Sequence, residues 1–172
     1  MPITSNTSPL IGVAKIGRLK LLERLYGTVI ISPKVKEECI DKGKEKGAPD
    51  AYEIEKTVQD GWIKEATLER KLQRRAEKLM QEARIGQGEA EAIVIAQEKK
   101  IPVILDEADA RAAARAIKVD RFGTVMVPYE AFVKRLIPYK ELITILTDLS
   151  KVLWVSPAVI AEIIRRAQEV RK

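Results

Sequence analysis

Histidine is missing from all 172 residues. With it go the Ser-His-Asp and Cys-His mechanisms and every zinc site that needs an imidazole. The one cysteine, Cys39, permits no internal disulfide and no thiolate cluster, which removes iron–sulfur and all-cysteine zinc centres and fits a reducing cytoplasm. Aromatic residues make up only 5% of the chain, so recognition of nucleic acid by base stacking has few platforms. No segment offers the roughly 20 uninterrupted apolar residues that cross a bilayer. The opening MPITSNTSPLIGVAKIG also lacks the basic start and cleavage pattern of a signal peptide. These absences predict a cytoplasmic protein with no membrane partner. Any catalysis must come from carboxylates, Lys, Ser, Thr, Tyr or a hard metal.

What is present describes a globular chain. Hydrophobic residues at 46% beside 33% charged residues suit a single domain with a sizeable core. Abundant Lys, Glu and Ile match the composition of thermophile proteins. The formal net charge is +6, and an acidic site inside a basic protein suits a polyanionic substrate.

Along the chain one local device occurs at three places: a β-branched or apolar run, then Ser-Pro, then a helical pattern. Ile3 to Ser5 leads to Ser8 and Pro9, residues 28–32 lead to Pro33, and residues 152–155 lead to Ser156 and Pro157. Serine caps and proline opens a helix, so Ser8 is expected to cap a helix over 9–15. Strands alternating with helices imply a parallel sheet. A second helix is expected at 19–26. A third, after Pro33, turns Val35 and Cys39 inward and places Glu38 on the same side. Residues 41–50 read as a loop, and Trp62 with Ile63 as a short extended segment.

The helical period of Leu68, Leu72, Ala76, Leu79 and Ala83 predicts an amphipathic helix over 67–83 with a solvated basic face. Residues 62–85 are therefore expected to form an elaboration docked at the sheet edge, with a homodimer contact as the alternative use of that stripe. Val119 ends a further strand, Gly123-Thr124 makes a turn, and helices follow at 129–136 and 139–149. Residues 152–155 read as a strand before a last helix from Pro157.

The stretch that carries chemistry is GQGEAEAIVIAQEKKIPVILDEADARAAARA, residues 86–116. It reads as helix, strand and helix, with acids at both changeovers: Glu89 and Glu91, then Asp106 and Glu107. Each acid has a bland role as a helix-end charge or cap. Gly86-Gln87-Gly88 lacks the third glycine and the preceding strand of a dinucleotide fingerprint. In open α/β sheets sites collect at the carboxyl ends of strands. There Asn6 and Asp106 with Glu107 meet Glu38 and Glu91 if the first and central strands are adjacent. Carboxylates crowded together are costly to keep ionised without a cation, and an all-oxygen set favours Mg²⁺ or Mn²⁺. Thr7, Ser8 and Thr124 are expected to contact the phosphate or a ligated water that such a site would take, and Arg111 and Arg115, one helical turn apart, bind flanking phosphates if they face the crevice and otherwise serve surface solubility.

The pieces SNTSPLI with KIGRLKLLERLYG, VIISPKVKEE, GQGEAEAIVIA, VILDEADARAAA and FGTV, in this order over residues 4–125, resemble the PIN-like domain family. The likeness is to its prokaryotic branch with an N-terminal NTSPLI motif, related to VapC-type toxin ribonucleases. It implies a three-layer α/β/α sandwich with a parallel sheet of four or five strands and a metal-dependent ribonuclease acting on RNA. It implies Glu38, Glu91 and Asp106 as catalytic positions, and Asn6, Glu38, Glu91, Asp106 and Glu107 around Mg²⁺ or Mn²⁺. An antitoxin protein would be a partner. Nuclease-active members end the first strand in aspartate where this chain has Asn6. An amide oxygen still ligates Mg²⁺ but brings no charge. A catalytically silent module that binds RNA or protein is the rival that Asn6 favours.

Overall fold

In the computed structural model, which describes residues 1–171, five short parallel strands form one sheet in the order β3-β2-β1-β4-β5. The chain runs β1 (Ile3–Ser5), α1 (Thr7–Lys15), α2 (Leu19–Tyr26) and β2 (Val29–Ile31). Then α3 (Pro33–Lys36) continues through a π-helical turn (Glu37–Asp41) into α4 (Lys42–Glu45), before α5 (Pro49–Gln59) and β3 (Ile63–Glu65). There follow α6 (Arg70–Ala83), α7 (Gln87–Lys99), β4 (Val103–Ile104), α8 (Ala108–Ala116), β5 (Arg121–Phe122), α9 (Met126–Val133), α10 (Tyr139–Val152) and α11 (Pro157–Arg171).

Strand β1 pairs with β2 through Ile3–Val29 and Thr4–Ile30, and with β4 through Thr4–Val103 and Ser5–Ile104. Successive strands therefore move outward from β1 in one direction and then resume on its other side with β4. The order reverses between β1 and β4, and a crevice opens beyond the carboxyl ends of strands at such a reversal.

Alternation along the strands supplies both faces. Ile104 joins a core packed under α1, α2, α5, α9, α10 and α11, whereas Val103 and Leu105 join a second core under α6, α7 and α8. Two cores flanking one sheet make the three-layer α/β/α sandwich, and the adjacency of the first and central strands matches expectation.

Several local expectations change. The first helix begins at Thr7, with Asn6 in the N-cap position at φ −79° and ψ 178°. Ser8 is therefore inside the helix and caps nothing, and its hydroxyl turns to Glu107. Ser32 does cap, accepting the Val35 N–H at 3.1 Å. Residues 42–45 are helical because the π turn carries the helix on from α3. The segment around Ile63 is a full member of the sheet, paired with β2 at three positions. Its helix α6 begins at Arg70 and packs within the chain on α7 and α8.

Residues 152–155 form no strand. Helix α10 runs to Val152, Trp154 is 94% exposed, and Leu153 turns in against α1. An apolar run this short is read as a strand only by its pattern, and here it serves as an anchor between helices. Gly12 on α1 makes room for it: a Cβ there would lie 2.7 Å from Leu153 Cδ1 and 2.8 Å from its Cγ. Gly12→Ala is expected to lower stability to denaturant by about 1–3 kcal/mol, because overpacking outweighs the better helix propensity of alanine.

Candidate metal-binding crevice

The residue that ends β1 is placed by backbone before side chain. The Asn6 N–H donates to the Ile104 carbonyl at 3.2 Å, which ties the start of α1 to β4. An asparagine at an N-cap ordinarily accepts a hydrogen bond from the first helical turn. Asn6 makes no such bond and is 5% exposed. Its amide oxygen instead faces α7. The point where a Cβ would sit on Gly88 lies 3.2 Å from Asn6 Oδ1, 3.3 Å from Glu38 Oε2 and 3.4 Å from Val35 Cγ2. The glycine thus lets α7 approach two oxygens that converge on one spot.

Glu38 reaches this spot from the π turn, where Thr7 Oγ1 donates to its Oε2 at 2.5 Å. Its neighbour Glu37 is directed elsewhere, to Lys34 at 3.0 Å and Lys42 at 3.3 Å. Cys39, also on this turn, is fully buried, and burial pushes its thiol up to about 12. It stays protonated and is no thiolate ligand.

On the other flank, Glu89 accepts the Gly86 N–H at 2.7 Å. Burial raises its pKa most, against the lowering effect of that bond, and the nearby carboxylates of Glu107 and then Glu38 raise it further. Ser8 Oγ donates to Glu107 Oε1 at 3.2 Å. Asp106, just past β4, accepts the Thr124 N–H at 2.8 Å and the Thr124 hydroxyl at 2.7 Å. Burial lifts the Asp106 pKa above its ordinary 3.8, and the two Thr124 bonds pull the other way.

Arg111 donates to the backbone carbonyls of Leu105 and Asp106, so its guanidinium braces the end of β4. Arg115 is exposed. Glu91 is taken up by other partners: its carboxylate, 6% exposed, accepts the Lys34 N–H at 3.2 Å and the Gln87 amide at 2.8 Å.

The structure therefore brings together Asn6, Thr7 and Glu38, with Glu89, Glu107 and Ser8 alongside, and holds Asp106 with Thr124 at the end of β4. Glu91 stands in a neighbouring cavity. Among the described residues no three acidic or thiol side chains form a ready metal cluster. The donor chemistry still fits a hard divalent cation, being one amide oxygen and several carboxylates with no nitrogen or thiolate. Glu89 is the position that the pattern of the sequence passed over. Its bland role is also real, since it does serve the helix start, and only its burial beside the carboxylates of Glu107 and Glu38 reveals that it belongs to the crevice.

The raised groups have a defined pH signature. The folded state holds a proton on Asp106 and Glu89 more tightly than the unfolded chain does. Their contribution to stability is thus full below the ordinary carboxylate range and is lost as pH rises through the raised values. Thr124→Val removes a hydroxyl that favours ionised Asp106. A carboxyl NMR titration of this variant is expected to show the Asp106 pKa raised further than in the parent.

No curated protein matches the chain. The family model of the PIN domain matches residues 2–169, a span that takes in the sheet, the crevice and every residue placed in it, and on that match the chain belongs to the PIN domain family.

Proposed function

We propose that this chain is a metal-dependent ribonuclease of PIN type, which hydrolyses phosphodiester bonds of RNA with Mg²⁺ or Mn²⁺. The observation that carries the reading is the meeting of Asn6 Oδ1 and Glu38 Oε2 over Gly88 at the reversal of strand order, with Glu89 and Glu107 beside them. Membership of the PIN domain family and the net charge of +6 support it.

Asn6, Glu38, Glu89 and Glu107 are the residues that would hold the cation. When bound, it supplies Lewis acidity, lowering the pKa of a ligated water and offsetting charge on the scissile phosphate. The chain's own groups do the rest. Thr7 keeps Glu38 oriented by donating to Oε2. Asp106, fixed by two bonds from Thr124, is positioned to accept a proton from an incoming water. Ser8 lies on the rim through Glu107, and exposed Arg115 is available to a flanking phosphate. Arg111 holds the β4 end rather than the substrate.

The test is cleavage of single-stranded RNA with and without Mn²⁺. Glu38→Gln is expected to reduce the metal-dependent rate by about 100-fold, since it replaces a charged oxygen ligand with a neutral amide of nearly the same shape. A rate unchanged by that substitution would sink the reading.

One observation favours the silent-module alternative: the buried position at the end of β1 carries a neutral amide. RNA binding by the parent without cleavage at saturating Mn²⁺ would establish it.

A further inference from the structure

Beside the crevice, and sharing its helices, lies a second feature with its own chemistry. A cavity of about 500 Å³ opens between the start of α3 and helices α6 and α7. Pro33, Leu68, Ala76 and Met80 give it apolar walls, and Glu91, Glu37, Glu77 and Lys34 supply charge, the Lys34 ammonium resting 3.0 Å from Glu37. The Glu91 carboxylate is 6% exposed, so it is desolvated yet keeps lone pairs beyond those taken by the Lys34 N–H and the Gln87 amide. The cavity and the crevice are two sides of one helix contact. Glu37 lines the first while Glu38 faces the second, and Gln87 lines the first while Gly88 touches Asn6 and Glu38.

We propose that this cavity seats a guanine base of a single-stranded RNA lying in the crevice, with Glu91 as the residue that selects it. The proposal takes its RNA substrate from the nuclease reading of the crevice, but the recognition rests on the cavity alone. A carboxylate accepts and never donates, so it favours the base that presents two adjacent donors. Guanine does so with N1–H and its exocyclic amino group, and its O6 acceptor suits one of the N–H donors that the Lys34 ammonium keeps beyond its pair with Glu37. Adenine, cytosine and uracil each set an acceptor beside their donor on that edge, and the acceptor would face the carboxylate. Unstacked bases of single-stranded RNA are read on this edge, with apolar side chains against the ring. The chain's low aromatic content is no obstacle, because Met80, Leu68 and Pro33 offer flat apolar contact.

The experiment measures binding of the free nucleosides guanosine, adenosine, cytidine and uridine to the whole protein by calorimetry and thermal shift, with free arginine as a further arm. Guanosine is expected to bind about tenfold or more tightly than the other nucleosides, the discrimination of a bidentate contact. Glu91→Gln, which swaps one acceptor for a donor, is expected to remove that preference. Leu68→Trp, which fills the cavity without touching Glu91, is expected to abolish guanosine binding, so misfolding of the first variant does not decide the matter.

Equal binding of all four nucleosides, or binding of none, overturns the proposal. So does arginine binding as tightly as guanosine, since a guanidinium also offers paired donors and would mark a peptide site. Metal-dependent RNA cleavage assayed in parallel separates the two readings. Cleavage without a guanosine preference overturns the guanine site alone, and guanosine binding without cleavage overturns the nuclease alone.

Discussion

Asn6→Asp is expected to tighten Mn²⁺ binding by about tenfold or more and to raise RNA cleavage in step, because it adds a charged oxygen where the parent has a neutral one. The same substitution is expected to weaken the protein in the absence of cation. Asn6 is 5% exposed, and its amide oxygen and Glu38 Oε2 lie against the same point on α7. A second carboxylate there is buried beside the first, which raises the pKa of both and disfavours the folded state near neutral pH. In chelator the variant should therefore lose about 1–3 kcal/mol relative to the parent. Cation at 100 times its dissociation constant restores about 2.7 kcal/mol by mass action. Calorimetry gives the affinity, and melting curves with Mn²⁺ and with chelator give the two stabilities. If neither the parent nor the variant binds Mn²⁺ or Mg²⁺, the nuclease reading fails and the silent module takes its place.

Much of this architecture is legible in the residues themselves. Alternating β-branched runs and helical periods require a parallel sheet covered on both faces, and that sheet forms with the first and central strands adjacent. What pattern cannot supply is orientation. Glu89 and Glu91 sit two residues apart on one helix, so about 200° separates them, and only one can face the crevice. The sequence motif does not say which. The burial of Glu89 beside the carboxylates of Glu107 and Glu38 sets it in the crevice, whereas Glu91 is taken up by the Lys34 N–H and the Gln87 amide, and both placements depend on the tertiary packing of α7 against β1 and α3.

Arg111 was legible as a cation near the site but not as a brace, since its partners are carbonyls that exist only once β4 has ended where it does. Asp106 likewise reads as a cap from its place before α8. Its partner is Thr124, 18 residues on, brought back by the pairing of β4 with β5. Residues 152–155 fail in the opposite sense. Their local pattern suits a strand, but the chain has placed them between α10 and α11, where Leu153 packs against Gly12 and Val155 against the same core while Trp154 stays in solvent.

Gly88→Val is expected to abolish metal-dependent cleavage and Mn²⁺ binding together while leaving a folded protein, and Gly88→Ala to reduce both by a smaller factor. Glycine inside a helix costs roughly 0.5–1 kcal/mol relative to alanine, so on local grounds Gly88→Ala should stabilise α7. Against that gain stands a Cβ at 3.2 Å from Asn6 Oδ1 and 3.3 Å from Glu38 Oε2. Both oxygens belong to side chains, which can give by a few tenths of an ångström. The two effects then nearly cancel, and the alanine variant should melt within a few degrees of the parent.

Valine adds two methyl groups to the same spot. They meet Val35 as well as the two oxygens, and the strain of such overpacking is about 1–3 kcal/mol. The apolar branch also displaces water and cation from the only place where Asn6 and Glu38 converge. Loss of function in the valine variant is thus local, and its unfolding curve should stay cooperative with an unchanged denaturant slope. Mn²⁺ binding by Gly88→Val at the parent's affinity would place the cation elsewhere and remove Asn6 and Glu38 from the site. A graded loss from glycine to alanine to valine, with stability following a different order from metal affinity, is the pattern that a crevice built around this one missing side chain requires.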